Sequence, residues 1–401
     1  MRKTTRLAQG LVFLIIVLLI AACGGQTTGG TQGSAPAAAQ PIDLEIIDAG
    51  GYVSLFKPVF DAYQKAHPDK VRKITYPPRV QAPALPGKIK AEQDSGHVTT
   101  SLIMSGYDGV ASLTQQGLVE PIIPDHNALF PNLADNYLDG AKAYNDLAKG
   151  YALVFAYTPS GPLFEYDPAK VPNPPKTIDE LQAWIHANPG KFIYARPSNS
   201  GPGRTMLMGL PYLLGDKDPK DPTNGWDKTW AFLKDIGSSV NAYPTRTGDT
   251  MTALAKGDAW IIASTFGWDI NPRFLNQVPA GDKTFMLQNT TLVADAGFML
   301  MPKGLDKATQ DIVLDMMAWM LKPDQQAADY DEGYFYPGPA VKNVPASMAS
   351  THSQQVLQQF GRPEYDTMIA NTKVVAPLDT APLNAAFTQW DKQIGIGKYK
   401  A

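Results

Sequence analysis

The sequence predicts an α/β protein of parallel strands flanked by helices, and three observations carry that prediction. Strand and helix patterns alternate in βαβαβ order from Ile42 to Gln116, an order that implies a parallel sheet with helices on its faces. Apolar residues make up 44% of the 401 residues and charged residues 18%, and mean hydropathy is -0.20; this is a globular balance, neither disordered nor multi-pass membrane. There is a single cysteine, so the core is not built on disulfides or on a Cys-based zinc site. The net charge of -3 lacks the basic excess of a nucleic-acid binder.

The chain begins with a targeting signal. Arg2, Lys3 and Arg6 precede the apolar run Leu11–Ala22, too short for a comfortable spanning helix and right for a signal peptide. The run ends in Leu19-Ile20-Ala21-Ala22-Cys23, which resembles the lipobox of bacterial lipoproteins. An aliphatic residue and small residues fit the peptidase, and the Cys23 thiol takes the lipid. Residues 1–22 are therefore expected to be a lipoprotein signal peptide. Cleavage removes three positive charges and takes the net charge from -3 to -6. Residues 23–40 are read as the lipidated Cys and a flexible tether of Gly, Ser, Thr, Gln and Ala, with a reach of roughly 20–25 Å.

The folded body is read as residues 41–401. Ile42–Asp48 alternates apolar and polar residues as a strand should, and Gly50-Gly51 ends it. Ser54–His67 places Leu55, Phe56, Val59, Phe60 and Tyr63 on one helical face, with Ser54 as N-cap and Pro68 as stop. Val71–Tyr76 reads as a strand, Ala84–Ser95 as a helix, Thr99–Met104 as a buried strand and Gly109–Gln116 as a short helix. Further on, Tyr151–Tyr157, Phe192–Ala195, Ala259–Ala263 and Gly297–Met301 read as strands. Helices are expected at Thr177–His186, Arg204–Leu214, Trp226–Asp235, Thr250–Lys256 and Thr309–Leu321, with a last one near Leu383–Ile394. Thr177 and Glu180 form a capping-box pattern.

The order of features resembles the extracellular solute-binding proteins of bacterial ABC importers, of the two-lobe type II class. The resemblance is carried by IDLEIIDAGG, SLIMSGYDGVASLTQQGLVEPI, ALVFAYTPSGPLFEYDP, TIDELQAW, GDTMTALAKGDAWII, DAGFMLMPKG and LKPDQQAADY in that order, over about residues 42–395. It implies a type II periplasmic-binding-protein-like fold. Each lobe would hold a mainly parallel sheet flanked by helices, and crossover strands near Ala156–Ser160 and Leu292–Gly297 would hinge them. Lobe 1 is expected at about 41–156 and 293–345 and lobe 2 at about 157–292, with C-terminal helices in 346–401 packing across both. It also implies a monomer that binds a solute without catalysis, serves ABC permease subunits and is held at the extracytoplasmic face of the cell membrane by its lipid.

Loops that follow strands are the candidate ligand contacts, because solutes bind beyond the carboxyl ends of strands in open α/β sheets. Gly50-Gly51-Tyr52 offers backbone N–H groups and an aromatic face. Ser105-Gly106-Tyr107-Asp108 offers a hydroxyl, an aromatic face and a carboxylate. Arg196–Arg204 (RPSNSGPGR) opens a helix and offers Ser198, Ser200, Gly203 and Arg204. Trp268 and Asp269 place an aromatic beside a carboxylate, which suits a cation or a sugar. Asp295 is a further acid near these loops. The aromatic turn Tyr334–Pro339 reads as a rim or hinge element. No metal site and no cofactor are expected: the five histidines show no ligand spacing and no Gly-x-Ser-x-Gly elbow occurs. The expected ligand is a small polar organic solute, with a polyamine-like cation favoured by the acids and aromatics. The helix start in RPSNSGPGR pulls toward an anion. The alternatives are a sugar- or organic-anion-binding protein of the same class, or a surface-anchored hydrolase acting on glycans.

Overall fold

The strands in chain order are β1 (Ile42–Asp48), β2 (Val71–Thr75), β3 (Leu102–Ser105), β4 (Leu153–Gly161), β5 (Leu163–Tyr166), β6 (Phe192–Ile193), β7 (Ile261–Ser264), β8 (Lys283–Phe285), β9 (Leu292–Leu300), β10 (Gly338–Pro339) and β11 (Val374–Val375). The computed structural model describes residues 40–80 and 84–399; the signal segment, Cys23 and the tether up to residue 39 lie outside the described residues. One sheet has the order β10-β4-β9-β3-β1-β2, with β11 added on β9, and a second has the order β6-β7-β5-β8.

β1 pairs in parallel with both β2 and β3, as the βαβαβ reading predicts. The pairing is mixed elsewhere, which corrects the expectation of mainly parallel sheets. β9 runs antiparallel to β3 and β4, β10 is antiparallel to β4, and β5 is antiparallel to β7 and β8. The cause is the crossover. β4 leaves the first sheet and continues through Pro162 into β5 of the second, so β9, which makes the return journey beside it, must run the other way.

β4 and β9 are buried over all nine of their residues, and each is longer than its alternation pattern suggests. The TPSG segment continues the strand: Thr158 sits opposite Asp295 and Gly161 opposite Val293. Pro159 is tolerated at the irregular end of this pairing, where the register shifts between Thr158 and Gly161. Two short strands, β5 and β8, carry too few residues for a periodic signal.

The helix Val53–Ala66 buries Leu55, Phe56, Val59, Phe60 and Tyr63 as expected. With Met316, Met317 and Met320 of the helix Lys307–Met320 and with Phe155, they form the core on one face of the first sheet. Phe56 and Tyr52 both meet the Phe155 ring edge-on, at 4.8 and 5.1 Å. Ser54 is not the cap of this helix. Instead Asp48, at the end of β1, accepts hydrogen bonds from the amides of Gly50, Gly51, Tyr52 and Val53 at 2.6 to 3.3 Å. The Thr177 cap is present, accepting from Glu180 N at 3.2 Å. The helix drawn from Arg204 begins at Gly201, because Ser200 caps it one turn earlier.

Candidate functional site

The carboxyl ends of strands from both sheets converge on one cleft of about 420 Å³. From the first sheet come Gly50 and Tyr52 after β1, Arg79 after β2, and Gly106 and Asp108 after β3. From the second come Ser198 to Gly201 and Arg204 after β6, and Trp268 after β7. Arg246 to Asp249, at the start of the helix Thr247–Ala255, form a further edge. Asp295 projects from the crossover strand β9, and Tyr334 and Phe335 close the remaining side.

Arg204 organises the floor. Its Nη2 donates to Asp295 Oδ2 at 2.8 Å and its Nη1 lies 3.5 Å from Asp108 Oδ2. Arg204 is 7% exposed and Asp295 6%, so this pair is shielded from water, while the Asp108 side chain is 19% exposed and faces the cleft. Burial works against the guanidinium charge, but Asp295 and Asp108 outweigh it and hold the Arg204 pKa above its ordinary value. Both oxygens of Asp295 have a partner, since its Oδ1 accepts from Ala296 N at 3.0 Å. Asp108 keeps capacity: Oδ1 accepts from Gly109 N at 3.0 Å, while Oδ2 has only the longer approach of Arg204. The triad carries one net negative charge.

An aromatic wall stands over this floor. Trp268 and Tyr334 lie 4.9 Å apart between ring centroids, and Tyr52 meets Phe335 edge-on at 6.0 Å. The Tyr52 phenol is pushed well above its ordinary pKa, by burial first and then by Asp295; that of Tyr334 is pushed up to about 12, chiefly by burial. Both are neutral hydroxyls in the physiological range. The Trp268 loop is held against the Tyr334 turn through Gly267, at φ +91°. A Cβ there would lie 2.6 Å from both Gly333 O and Tyr336 N, so only glycine permits the approach.

Of the residues singled out in the sequence, Tyr52, Asp108, Ser198, Ser200, Arg204 and Trp268 line the cleft. Ser105, Tyr107, Gly203 and Asp269 do not. Ser105 is fully buried beside Gly109, whose position has no room for a Cβ because Ser105 Oγ would be 1.9 Å away. Tyr107 is turned into the core against Tyr144 and Phe298, its hydroxyl 3.5 Å from Thr380 Oγ1. Gly203 is a packing glycine; a Cβ would come within 2.2 Å of Ala195 O. Asp269 has no exposed surface and is claimed by Arg273 at 3.0 Å, Arg362 at 2.5 Å and the Tyr365 hydroxyl.

Two helix starts that offered backbone amides are engaged from within, the first by a carboxylate and the second in part. Asp48 takes the amides at the first, so the Gly50 and Gly51 N–H groups face a carboxylate of their own chain. At the second, Ser200 Oγ accepts from Gly203 N at 3.2 Å and Pro202 has no N–H. Arg196 points away into a bidentate pair with Asp391, at 2.6 and 2.9 Å. Arg79, Arg246 and Asp249 escaped the sequence reading. Arg79 follows β2 by four residues, the same carboxyl-end logic that found Asp108. Arg246 and Asp249 pair with each other at 3.1 Å, and nothing in their spacing marks them. Among the described residues no group of three or more His, Cys, Asp or Glu is placed to hold a metal ion. No helix among them is long and apolar enough to cross a membrane.

The family model of the bacterial extracellular solute-binding proteins matches residues 59–357, and this chain belongs to that family. The chain is similar to the thiamine-binding periplasmic protein of Salmonella typhimurium, 24% identical over 200 residues. That match covers 39% of this chain and spans 59% of the relative's length. Its fold is that of the two-lobe type II periplasmic-binding proteins. A solved periplasmic thiamin binding protein shares it with a TM-score of 0.62 at 14% identity, covering 90% of this chain and 99% of that one. The spermidine/putrescine ABC transporter substrate-binding protein of Streptococcus pneumoniae shares it with a TM-score of 0.59 at 15% identity, covering 88% and 99%.

Proposed function

We propose that this protein is the extracytoplasmic solute-binding component of an ABC importer and that its solute is a small polar organic cation. One observation carries the ligand class: an Asp108–Arg204–Asp295 floor with one net negative charge lies in the same cleft as Trp268 and Tyr334. A cation gains there from a carboxylate with spare acceptor capacity and from aromatic faces, at about 0.5–2 kcal/mol per cation–π contact. The Asp48 carboxylate that takes the amides of the first helix start counts against an anion there. The name of the curated relative, for thiamine, fits the same class. The family is one of binding proteins rather than enzymes, and the cleft serves as a trap whose two walls close by a hinge at β4 and β9.

The chain acts as a monomer that hands its solute to the permease subunits. It is anchored by lipid at Cys23, with residues 24–40 as tether. The lipobox and the uncharged tether support this anchor; Cys23→Ala is expected to leave the protein out of the membrane fraction. The ligand test is a thermal-shift screen of amines, thiamine-like cations, sugars and organic phosphates. Stoichiometric stabilisation by a cation, without product formation, is the expected result. A sugar or an anion as the best hit overturns the ligand class, and consumption of the solute overturns the binding role.

A further inference from the structure

Arg204 stands in the cleft where a binding site for cations would be expected to carry none. Its partners explain what it does there. Asp108 and Asp295 bring two carboxylates to the floor, one from the loop after β3 and one from β9. Arg204 enters from the helix Gly201–Leu213 and sits between them. The Arg204 side chain is 9% exposed and that of Asp295 8%, so neither is screened by water. The other charged groups of the lining are Arg79 and Arg246, both exposed, and Asp249, which is paired with Arg246.

We infer that Arg204 is a built-in counter-ion that sets the charge of the solute: with it in place the cleft floor accepts one positive charge and discriminates against a short dication. This rests on the cation reading above. Arg204 pairs more closely with Asp295, at 2.8 Å, than with Asp108, at 3.5 Å, so the unbalanced negative charge is assigned to Asp108. A second ammonium brought close would meet the Arg204 guanidinium with no carboxylate left to balance it. At 4 Å, like charges in such surroundings repel by about 4 kcal/mol.

The test is isothermal titration of n-butylamine and 1,4-diaminobutane into the wild type, Arg204→Gln, Asp295→Asn and Arg204→Gln/Asp295→Asn, each checked for folding by circular dichroism. The floor carries one, two, zero and one net negative charges in these four proteins. The wild type is expected to prefer the monoamine. Arg204→Gln is expected to shift the affinity ratio at least tenfold toward the diamine, and the double variant to return to the wild-type ratio. Asp295→Asn should weaken both amines at least tenfold, which keeps the inference testable if Arg204→Gln does not fold. A ratio in folded Arg204→Gln within threefold of wild type overturns the inference, as does wild-type affinity in Asp295→Asn. A wild type that takes a sugar or an anion but neither amine overturns both the inference and the cation class, and leaves the solute-binding role standing. A wild type that takes no solute at all removes that role as well.

Discussion

Asp269 lies beside a cleft residue in sequence yet belongs to the interior, and replacing it by Asn separates the two roles. The carboxylate has no exposed surface. It accepts from Arg273 Nη2 at 3.0 Å, from Arg362 Nε at 2.5 Å and from the Tyr365 hydroxyl. Through Arg362 and Tyr365 it ties the segment around the helix Glu364–Ala370 to the second sheet. Each ion pair at about 3 Å is worth about 5–6 kcal/mol of gross attraction at an effective dielectric of 20, much of it offset by the cost of desolvating the partners. Removing one side of such a pair costs about 3–5 kcal/mol, because the other charge is left buried.

Glu165 moderates the loss. It is buried next to the same arginines, and its pKa is pushed well up by burial first and then by the Asp269 charge. Without that charge Glu165 ionises more readily and serves Arg273 and Arg362 in part. We therefore expect Asp269→Asn to cost about 3 kcal/mol, near the low end. With an unfolding entropy of about 2.1 cal/mol/K per residue over roughly 360 residues, this lowers the midpoint by about 4 °C. The assay is thermal unfolding followed by circular dichroism at pH 7.5, with solute affinity measured at 25 °C. Solute affinity should stay within about threefold of wild type. A drop below about 1 °C would refute the electrostatic account, and lost affinity at unchanged stability would return Asp269 to the cleft.

Asp282 gives a pH dependence. Burial, then Asp167, raises its pKa to about 7, and its Oδ2 has no hydrogen-bond partner. The folded protein holds this proton where the unfolded chain releases it near pH 4, so the stability it contributes is lost as pH rises toward 7. Asp282→Asn should flatten that slope in unfolding midpoints measured from pH 4 to 8, raising stability most at pH 8; an unchanged slope contradicts the assignment. Trp268→Ala should weaken solute binding about tenfold with little change in fold, by loss of one aromatic face; equal affinity by titration would exclude the aromatic wall. Arg196→Ala removes the pair with Asp391 and should cost about 1 kcal/mol of stability, with solute affinity unchanged; weakened binding would place Arg196 in the cleft after all.

The local sequence determined the elements whose signal is periodic. The alternation of Ile42–Asp48 and the 3.6-residue spacing of Leu55, Phe56, Val59, Phe60 and Tyr63 are one-dimensional patterns, and β1 and the following helix appear where they predict. Attention to the loops after strands led to Tyr52, Asp108, Ser200, Arg204 and Trp268, which line the cleft.

What the tertiary structure decided is the direction in which side chains point and what they meet. Asp269 and Trp268 are adjacent in sequence and equally suggestive, but Arg273, Arg362 and Tyr365 arrive from 4, 93 and 96 positions away to claim Asp269. Tyr107 and Asp108 divide in the same way, one into the core and one into the cleft. Asp48 reads as an ordinary strand-end acid until its four amide partners show that it caps a helix. The meeting of Arg204 with Asp108 and Asp295 is invisible in sequence because charge pairing depends on distance in space. Separations of 96 and 91 residues carry no periodicity from which such a contact can be read.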